Sequence, residues 1–392
     1  MALSEFDSWF NQPLSPLYYN EDHQAWRNTL RRFIDAEIAP FVDEWEEAGT
    51  FPKDVYKKAA SIGLLQMGYP EQYGGIPVGD PFFAVVTAME QGRAGGGGLY
   101  ASLNSHSIGL PPILALANDD IKERVIPPVI AGEKIAALAI TEPSGGSDVA
   151  NLCTIARREG DHYIVNGSKM FITSGMRADY YTVAVRTGGE GAKGISLLLI
   201  EKDFPGFTQT PLKKMGWWAS DTAALYFDDC KVPLSNLIGE ENKGFSGIMV
   251  NFNMERLGII ATANALAMVC MDDAVAWARE RKTFGKRLMD HQVIRHKIAE
   301  MTKRILATQA LTEQTAWQMQ QGQTPIVELS LLKVQATETL EYCAREAVQI
   351  LGGAGFIRGN KVERIYRDVR VYAIGGGSEE IMRDLAARQL KL

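Results

Sequence analysis

The sequence predicts an α+β chain of several domains, helical at both ends with a β segment between. Three observations predict it. Residues 1–134 carry helix starts, residues 135–238 alternate β-branched and aromatic residues with Gly, Pro, Asn and Asp, and residues 239–392 return to helical periodicity. Helices, then strands, then helices, with no βα alternation, argue against a doubly wound nucleotide fold. The length of 392 residues allows two or three domains at roughly 150 residues each.

In the first zone Asp80 before Pro81 is an N-cap with proline at the first helical position, and Thr50 with Pro52 makes a looser start. Gly95 to Gly98 cost backbone entropy when ordered and end a helix, so a flexible connection is expected there, leading into LYASLNSHSIG.

The second zone opens on LAITEPSGGSDV, a short apolar strand followed by a loop of hydroxyls, carboxylates and paired glycines. Gly145 and Gly146 let a ligand approach the main chain, and Thr141, Ser144 and Ser147 offer hydroxyls within one turn. Taken alone, PSGG is an ordinary turn. Next come a hairpin around Glu159-Gly160-Asp161 and the segment HYIVNGSKMFITSG. There Tyr163, Val165 and Phe171-Ile172 suggest strand and Asn166-Gly167 a tight turn. ISLLLIEKD and TAALYFDDCKV supply further strands.

In the third zone Glu255 precedes a nearly uncharged run, 257–270, which predicts a helix buried all round. Thr324-Pro325 opens a long helix whose apolar positions Leu329, Leu332, Ala336, Leu340, Cys343, Ala347 and Ile350 step by three or four and end at Gly352-Gly353. Ser378 reads as the N-cap of a last helix with Glu379 and Glu380 in its first turn.

Composition narrows the function. A content of 46% hydrophobic and 22% charged residues is that of an ordinary globule, and a net charge of -6 without a Lys/Arg run argues against nucleic acid. No twenty-residue apolar span is read, so no membrane crossing is expected. MALSEFDSWF lacks the basic and apolar parts of a signal peptide, so the cytoplasm, bacterial in the first instance, is the expected location, with a processed mitochondrial matrix form also compatible. Cys153, Cys230, Cys270 and Cys343 form no C-x-x-C pair and read as reduced, mostly buried thiols. Among the histidines only His291 and His296 are close, at a spacing wrong for one helical face, so no metal is expected.

Together, TEPSGGSD and FITSG resemble the acyl-CoA dehydrogenase family, whose middle domain carries a TEP-x-x-GSD loop and a W-I-T strand against FAD. Thr141, Glu142, Pro143, Gly146, Ser147 and Asp148 match the first motif and Ile172 and Thr173 the second, while Phe171 stands where the family usually has Trp. The order of zones is also that of the family. The resemblance implies an N-terminal helical domain, a β-barrel-like or sandwich middle domain and a C-terminal four-helix-bundle-like domain.

It further implies that Thr141 and Thr173 place hydroxyls on the flavin edge beside Phe171, and that Leu138, Ile140, Ser147, Ser378 and Glu380 join the cofactor site. RERKTFGKRL resembles the family's R-x-x-F-G segment, which implies that Arg281 and Phe284, with Gln292 nearby, reach the FAD of a neighbouring subunit. QILGGAGF resembles Q-x-x-G-G-x-G, which implies that Gln349, Gly352 and Gly353 meet the adenosine end across the same interface of a dimer-based homotetramer. Ser147, Asn253, Arg256, Gly376 and Gly377 are implied to meet the acyl-CoA substrate.

Many family members carry the catalytic base in a Y-E-G-T segment, and here Gly376 occupies that position in VYAIGGGSEE. The isovaleryl- and long-chain-type branches place the base in an E-R-L segment, which Glu255 matches. A buried lone carboxylate has a raised pKa suited to a base, and Gly376 can still offer a backbone N–H to the thioester carbonyl. The implied activity is FAD-dependent α,β-dehydrogenation of an acyl-CoA, methyl-branched or medium to long chain, with electrons passing to electron-transfer flavoprotein. An oxidase and a flavin-binding scaffold without catalysis are the alternatives.

Overall fold

The computed structural model describes residues 7–249 and 252–392. Eight helices come first: α1 (Glu21–Glu37), α2 (Val42–Ala48), α3 (Asp54–Ser61), α4 (Pro81–Arg93), α5 (Gly97–Leu103), α6 (His106–Gly109), α7 (Pro111–Leu116) and α8 (Asp119–Ile130). Eight strands follow: β1 (Ala136–Ala139), β2 (Ile155–Glu159), β3 (His162–Thr173), β4 (Tyr180–Arg186), β5 (Ile195–Glu201), β6 (Phe207–Pro211), β7 (Thr222–Pro233) and β8 (Leu237–Ile238). The chain closes with α9 (Gly244–Met249), α10 (Phe252–Glu280), a small hairpin of β9 (Lys282–Thr283) and β10 (Lys286–Arg287), α11 (Gln292–Gln320), α12 (Ile326–Leu351), α13 (Lys361–Ile374) and α14 (Glu379–Gln389).

Local signals hold where caps are strong. Asp80 accepts from Phe82 N at 2.9 Å to start α4, Ser378 accepts from Ile381 N to start α14, and Gly352 at φ 61° ends α12. The predicted apolar stripe of α12, Leu329 to Ile350, is buried throughout. Thr50 and Pro52 lie just before α3, which begins at Asp54 without a side-chain cap.

The strands order as β6-β7-β3-β2-β4-β5-β8, with β1 parallel to β4. β2 and β3 form the expected hairpin, Glu159 opposite His162. The turn expected at Asn166-Gly167 is absent: both residues lie inside β3, at a register shift against β7. Asn166 pairs with Ile155, and at Gly167, with φ 142°, a Cβ would come within 2.8 Å of Thr154. Ladders on both flanks keep the chain extended, so the glycine makes a bulge instead of a reversal. β5 is buried on both faces: Leu198 and Ile200 join one core with Tyr181 and Phe207, while Leu197 and Leu199 join another with helix α8.

Two further expectations are corrected. Gly97 and Gly98 are buried at the start of α5, where a Cβ would lie 2.7 Å from Trp217 Nε1 and 2.7 Å from Trp217 Cα respectively. Glycine is required by close packing, so this is no flexible connection. The stretch 244–280 is long and apolar enough by composition to cross a membrane. Leu257, Ile260, Ala265, Leu266 and Val269 are buried against α4, α12 and α13, so an all-round apolar helix here reflects a protein core.

One turn joins the three zones. Trp217 N donates to Asp368 of α13 at 2.6 Å, while Trp218 N and Ala219 N donate to Glu46 of α2, each at 3.2 Å. Both carboxylates are buried. Arg367 covers the Trp218 ring at 3.7 Å.

Candidate active site

Two walls carry the predicted residues. The first is built on β1 and β3. Glu142, buried at the start of the Gly-rich loop, accepts from Cys153 N at 2.5 Å and Thr154 N at 2.8 Å. Its partner is Lys169 of β3, fully buried, whose Nζ reaches Glu142 at 2.8 Å and the Ile140 carbonyl at 3.0 Å. Burial would push the Glu142 carboxyl up, but Lys169 and the N–H donors hold it below its ordinary value. Burial brings Lys169 down to about 8 against the pull of Glu142. Met170 N also donates to the Thr141 carbonyl at 2.8 Å. These bonds fix the loop to the strand.

The residues expected to touch a ligand stay free on that wall. Thr141 and Thr173 are half-buried, Gly145, Gly146 and Ser147 are exposed, and Leu138 and Ile140 are half-buried at the strand end. Phe171 is 66% exposed and held at φ 63° by a second register shift in β3. A β-strand aromatic turned outward at positive φ, beside two hydroxyls, suits a planar polar ring better than water. A Cβ on Gly146 would come within 3.0 Å of Thr141 Cγ2, so the loop can close over that threonine only with glycine. The wall fits a flavin.

The second wall joins the start of α10 to the loop between α13 and α14. Gly376 and Gly377 take φ of 66° and 97°. A Cβ at Gly376 would lie 3.9 Å from Glu255 Oε1 and 2.4 Å from Ile259 Cδ1. The two residues singled out from sequence are therefore neighbours. Glu255 is half-buried, and burial pushes its carboxyl up, with only Arg256 pulling it down. Arg256 is buried and lies 5.4 Å over the Phe252 ring, while Asn253 is half-buried one turn earlier. Lys333 of α12, fully buried, donates to the Gly377 carbonyl at 2.7 Å. Sequence reading missed both buried lysines; the available signal was a cation inside an otherwise apolar run, LSLLKV on α12 and within the strand at Lys169.

A third group lies elsewhere. Arg281 precedes the β9-β10 hairpin, whose tip residue Phe284 is 96% exposed, and Gln292 opens α11 on the surface. Gln349, Gly352 and Gly353 are exposed at the end of α12, followed by Phe356 at 82%. No hydrogen bond or ion pair among the described residues joins them to Thr141, Phe171 or Thr173. Ser378 caps α14, and Glu380 is exposed in its first turn. Among the described residues no group of acidic, His and Cys side chains could hold a metal ion.

Family models agree with this layout over nearly the whole chain. The acyl-CoA dehydrogenase N-terminal domain matches residues 20–133, the middle domain 137–230 and the C-terminal domain 242–391. The chain belongs to the acyl-CoA dehydrogenase family. This acyl-CoA dehydrogenase is 37% identical to the mitochondrial long-chain specific acyl-CoA dehydrogenase of Rattus norvegicus, over 95% of this chain and 87% of that one. A probable acyl-CoA dehydrogenase from Mycobacterium abscessus superimposes with a TM-score of 0.93 at 45% identity, covering 95% of this chain and 100% of that one. A glutaryl-CoA dehydrogenase from Mycobacterium smegmatis in complex with FADH2 gives 0.89 at 27% identity, covering 96% of each chain.

Proposed function

We propose that this acyl-CoA dehydrogenase binds FAD and desaturates an acyl-CoA thioester to the trans-2-enoyl-CoA, with Glu255 as the base. One observation carries the reading: the Glu255 carboxylate lies beside Gly376, within 3.9 Å of where a Cβ would stand. Glu255 Oε takes the α proton of the thioester, leaving the carboxyl protonated. The Gly376 N–H stabilises the charge that builds on the thioester oxygen as that proton leaves. FAD, when bound against Thr141, Phe171 and Thr173, accepts the β hydride.

Gly376 also explains why the base stands on α10. A glutamate at 376 would place its Cβ into Ile259 Cδ1, at 2.4 Å, and bring a second carboxylate against Glu255. Only one of the two positions can hold the base. The family branch that the E-R-L segment resembles favours a methyl-branched or longer acyl chain, and similarity to a long-chain specific relative supports it. FAD held on this wall would pass its electrons to electron-transfer flavoprotein, and the exposed Phe171 lies on the surface such a partner would approach. The exposed Phe284 and Phe356 are covered in a homotetramer whose FAD sites take Arg281, Phe284, Gln292, Gln349, Gly352 and Gly353 from a neighbouring subunit. We place the enzyme in the cytoplasm of its cell or in the mitochondrial matrix.

The deciding experiment is anaerobic mixing of the yellow holoenzyme with a panel of straight and methyl-branched acyl-CoA thioesters. Bleaching without rapid recolouring in air identifies a dehydrogenase, and rapid recolouring an oxidase. Glu255→Gln is expected to stay yellow and folded and to bleach at least about 1,000-fold more slowly. Bleaching at the wild-type rate would overturn the assignment of the base.

A further inference from the structure

Lys333 lies wholly inside the C-terminal helical domain, with no exposed side-chain surface. Removing an ammonium from water costs several kcal/mol, and buried lysines normally recover this from a carboxylate. Here no salt bridge involves Lys333 among the described residues, and its bond is to a neutral acceptor, the Gly377 carbonyl at 2.7 Å. An apolar side chain of the same length would fill the space without that cost. The bonded carbonyl belongs to the residue directly after Gly376.

Beyond the Gly375 N–H, which donates to the Val371 carbonyl at 2.7 Å, that loop has little of its own to fix it. Gly375, Gly376 and Gly377 lack side chains, and two of them occupy the left-handed region at φ 66° and 97°. Glycine allows this backbone but does not enforce it. Helix α12 enforces it from below at two points: Lys333 holds the Gly377 carbonyl, and one turn later Thr337 Oγ1 donates to Glu379 Oε1 at 2.7 Å. Above the loop, Gly376 meets Ile259 and Glu255 of α10.

We propose that Lys333 is a positioning residue: by holding the Gly377 carbonyl it keeps the Gly376 N–H aimed at the substrate's thioester oxygen while Glu255 takes the α proton. The inference rests on the reading of Gly376 and Glu255 given above. Burial lowers Lys333 to about 8, with Glu379 opposing and Arg256 assisting, so it is still mainly an ammonium at neutral pH. Its charge adds to the polarisation of the Gly377 carbonyl that it holds.

Lys333→Met and Lys333→Gln test this in the flavin-loaded enzyme. Two ligands separate polarisation from binding: a para-substituted cinnamoyl-CoA, whose absorption moves to the red when its carbonyl is polarised, and an S-alkyl-CoA thioether, which has no carbonyl. In Lys333→Met the red shift is expected to fall by more than half and kcat by about 100-fold. KM and thioether affinity should stay within about threefold, since uniform binding is untouched. Lys333→Gln, which keeps a donor without the charge, should recover part of both losses. Full red shift with kcat within threefold in both variants would overturn the proposal, as would loss of thioether affinity in step with kcat, or loss of flavin and fold in both. Glu255→Gln should retain the red shift, so its loss there, or a wild type that never bleaches, counts against the proposed function and not against Lys333.

Discussion

At residue scale, a carboxylate and a missing side chain define each other. Glu255 can act as a base because burial raises its pKa, and rate therefore depends on pH with a definite sign. If Glu255 is the base, as proposed, activity requires its carboxylate, so kcat/KM is expected to fall on the acid side with a midpoint above 4.5, the value of an ordinary glutamate. A pH-rate profile with its acid limb at or below that value would contradict the assignment. Gly376→Ala adds a Cβ at φ 66° and 2.4 Å from Ile259 Cδ1. A loss of about 1 to 2 kcal/mol in urea unfolding is expected from backbone strain alone, with a kcat loss of tenfold or more as the N–H is displaced. Glu255 stood out in the sequence as a candidate because of its E-R-L segment before an uncharged run, and the structure sets it beside Gly376. Lys333 did not, because the carbonyl that it meets is 44 residues away and leaves no trace in composition.

At the scale of elements, the Gly-rich loop works because of what lies beneath it. Lys169 of β3 ties Glu142 and the Ile140 carbonyl together below the exposed hydroxyls. Lys169→Met strands a buried carboxylate, which should cost about 3 to 5 kcal/mol in urea unfolding. The loop should loosen with it, so flavin retention on gel filtration is expected to fall while the far-ultraviolet spectrum is kept. A variant that unfolds at the wild-type urea concentration would show that the pair contributes nothing. Strand existence was legible from alternation, and capped helices from Asp80 and Ser378. The two glycine misreadings share a cause. Asn166-Gly167 and Gly95 to Gly98 carry local turn or linker chemistry, but the partner that demanded glycine, Thr154 in one case and Trp217 in the other, is supplied by tertiary packing.

At the scale of the whole molecule, the order of helical, β and helical zones was readable from periodicity, whereas their meeting point was not. Glu46, Trp217 and Asp368 are separated by more than 150 residues at each step, yet two buried carboxylates receive three successive N–H groups there. Burial, with Glu46 nearby, raises the Asp368 carboxyl to about 7 from 3.8. A folded-state pKa above the unfolded value means that this group's stabilisation is full below about pH 4 and is lost as pH rises through about 7. Asp368→Asn keeps an oxygen to accept from Trp217 N and cannot ionise. Relative to wild type it should melt roughly 2 °C higher at pH 8 and show a smaller gain at pH 5. Equal shifts at both pH values would refute the titration of Asp368.

Helix α10 has a consequence for how the chain is made. Its apolar sequence would suit a lipid bilayer, but its covering helices α11, α12 and α13 all follow it in the chain. During synthesis at about 5 to 20 residues per second, α10 emerges several seconds before its cover is complete, with only α4 and the N-terminal segment around Trp9 and Phe10 already translated to shield it. For that interval the ribosome carries an adhesive helix. Slower growth at low temperature or added chaperone should therefore raise the soluble yield of this enzyme more than any substitution in its finished surface.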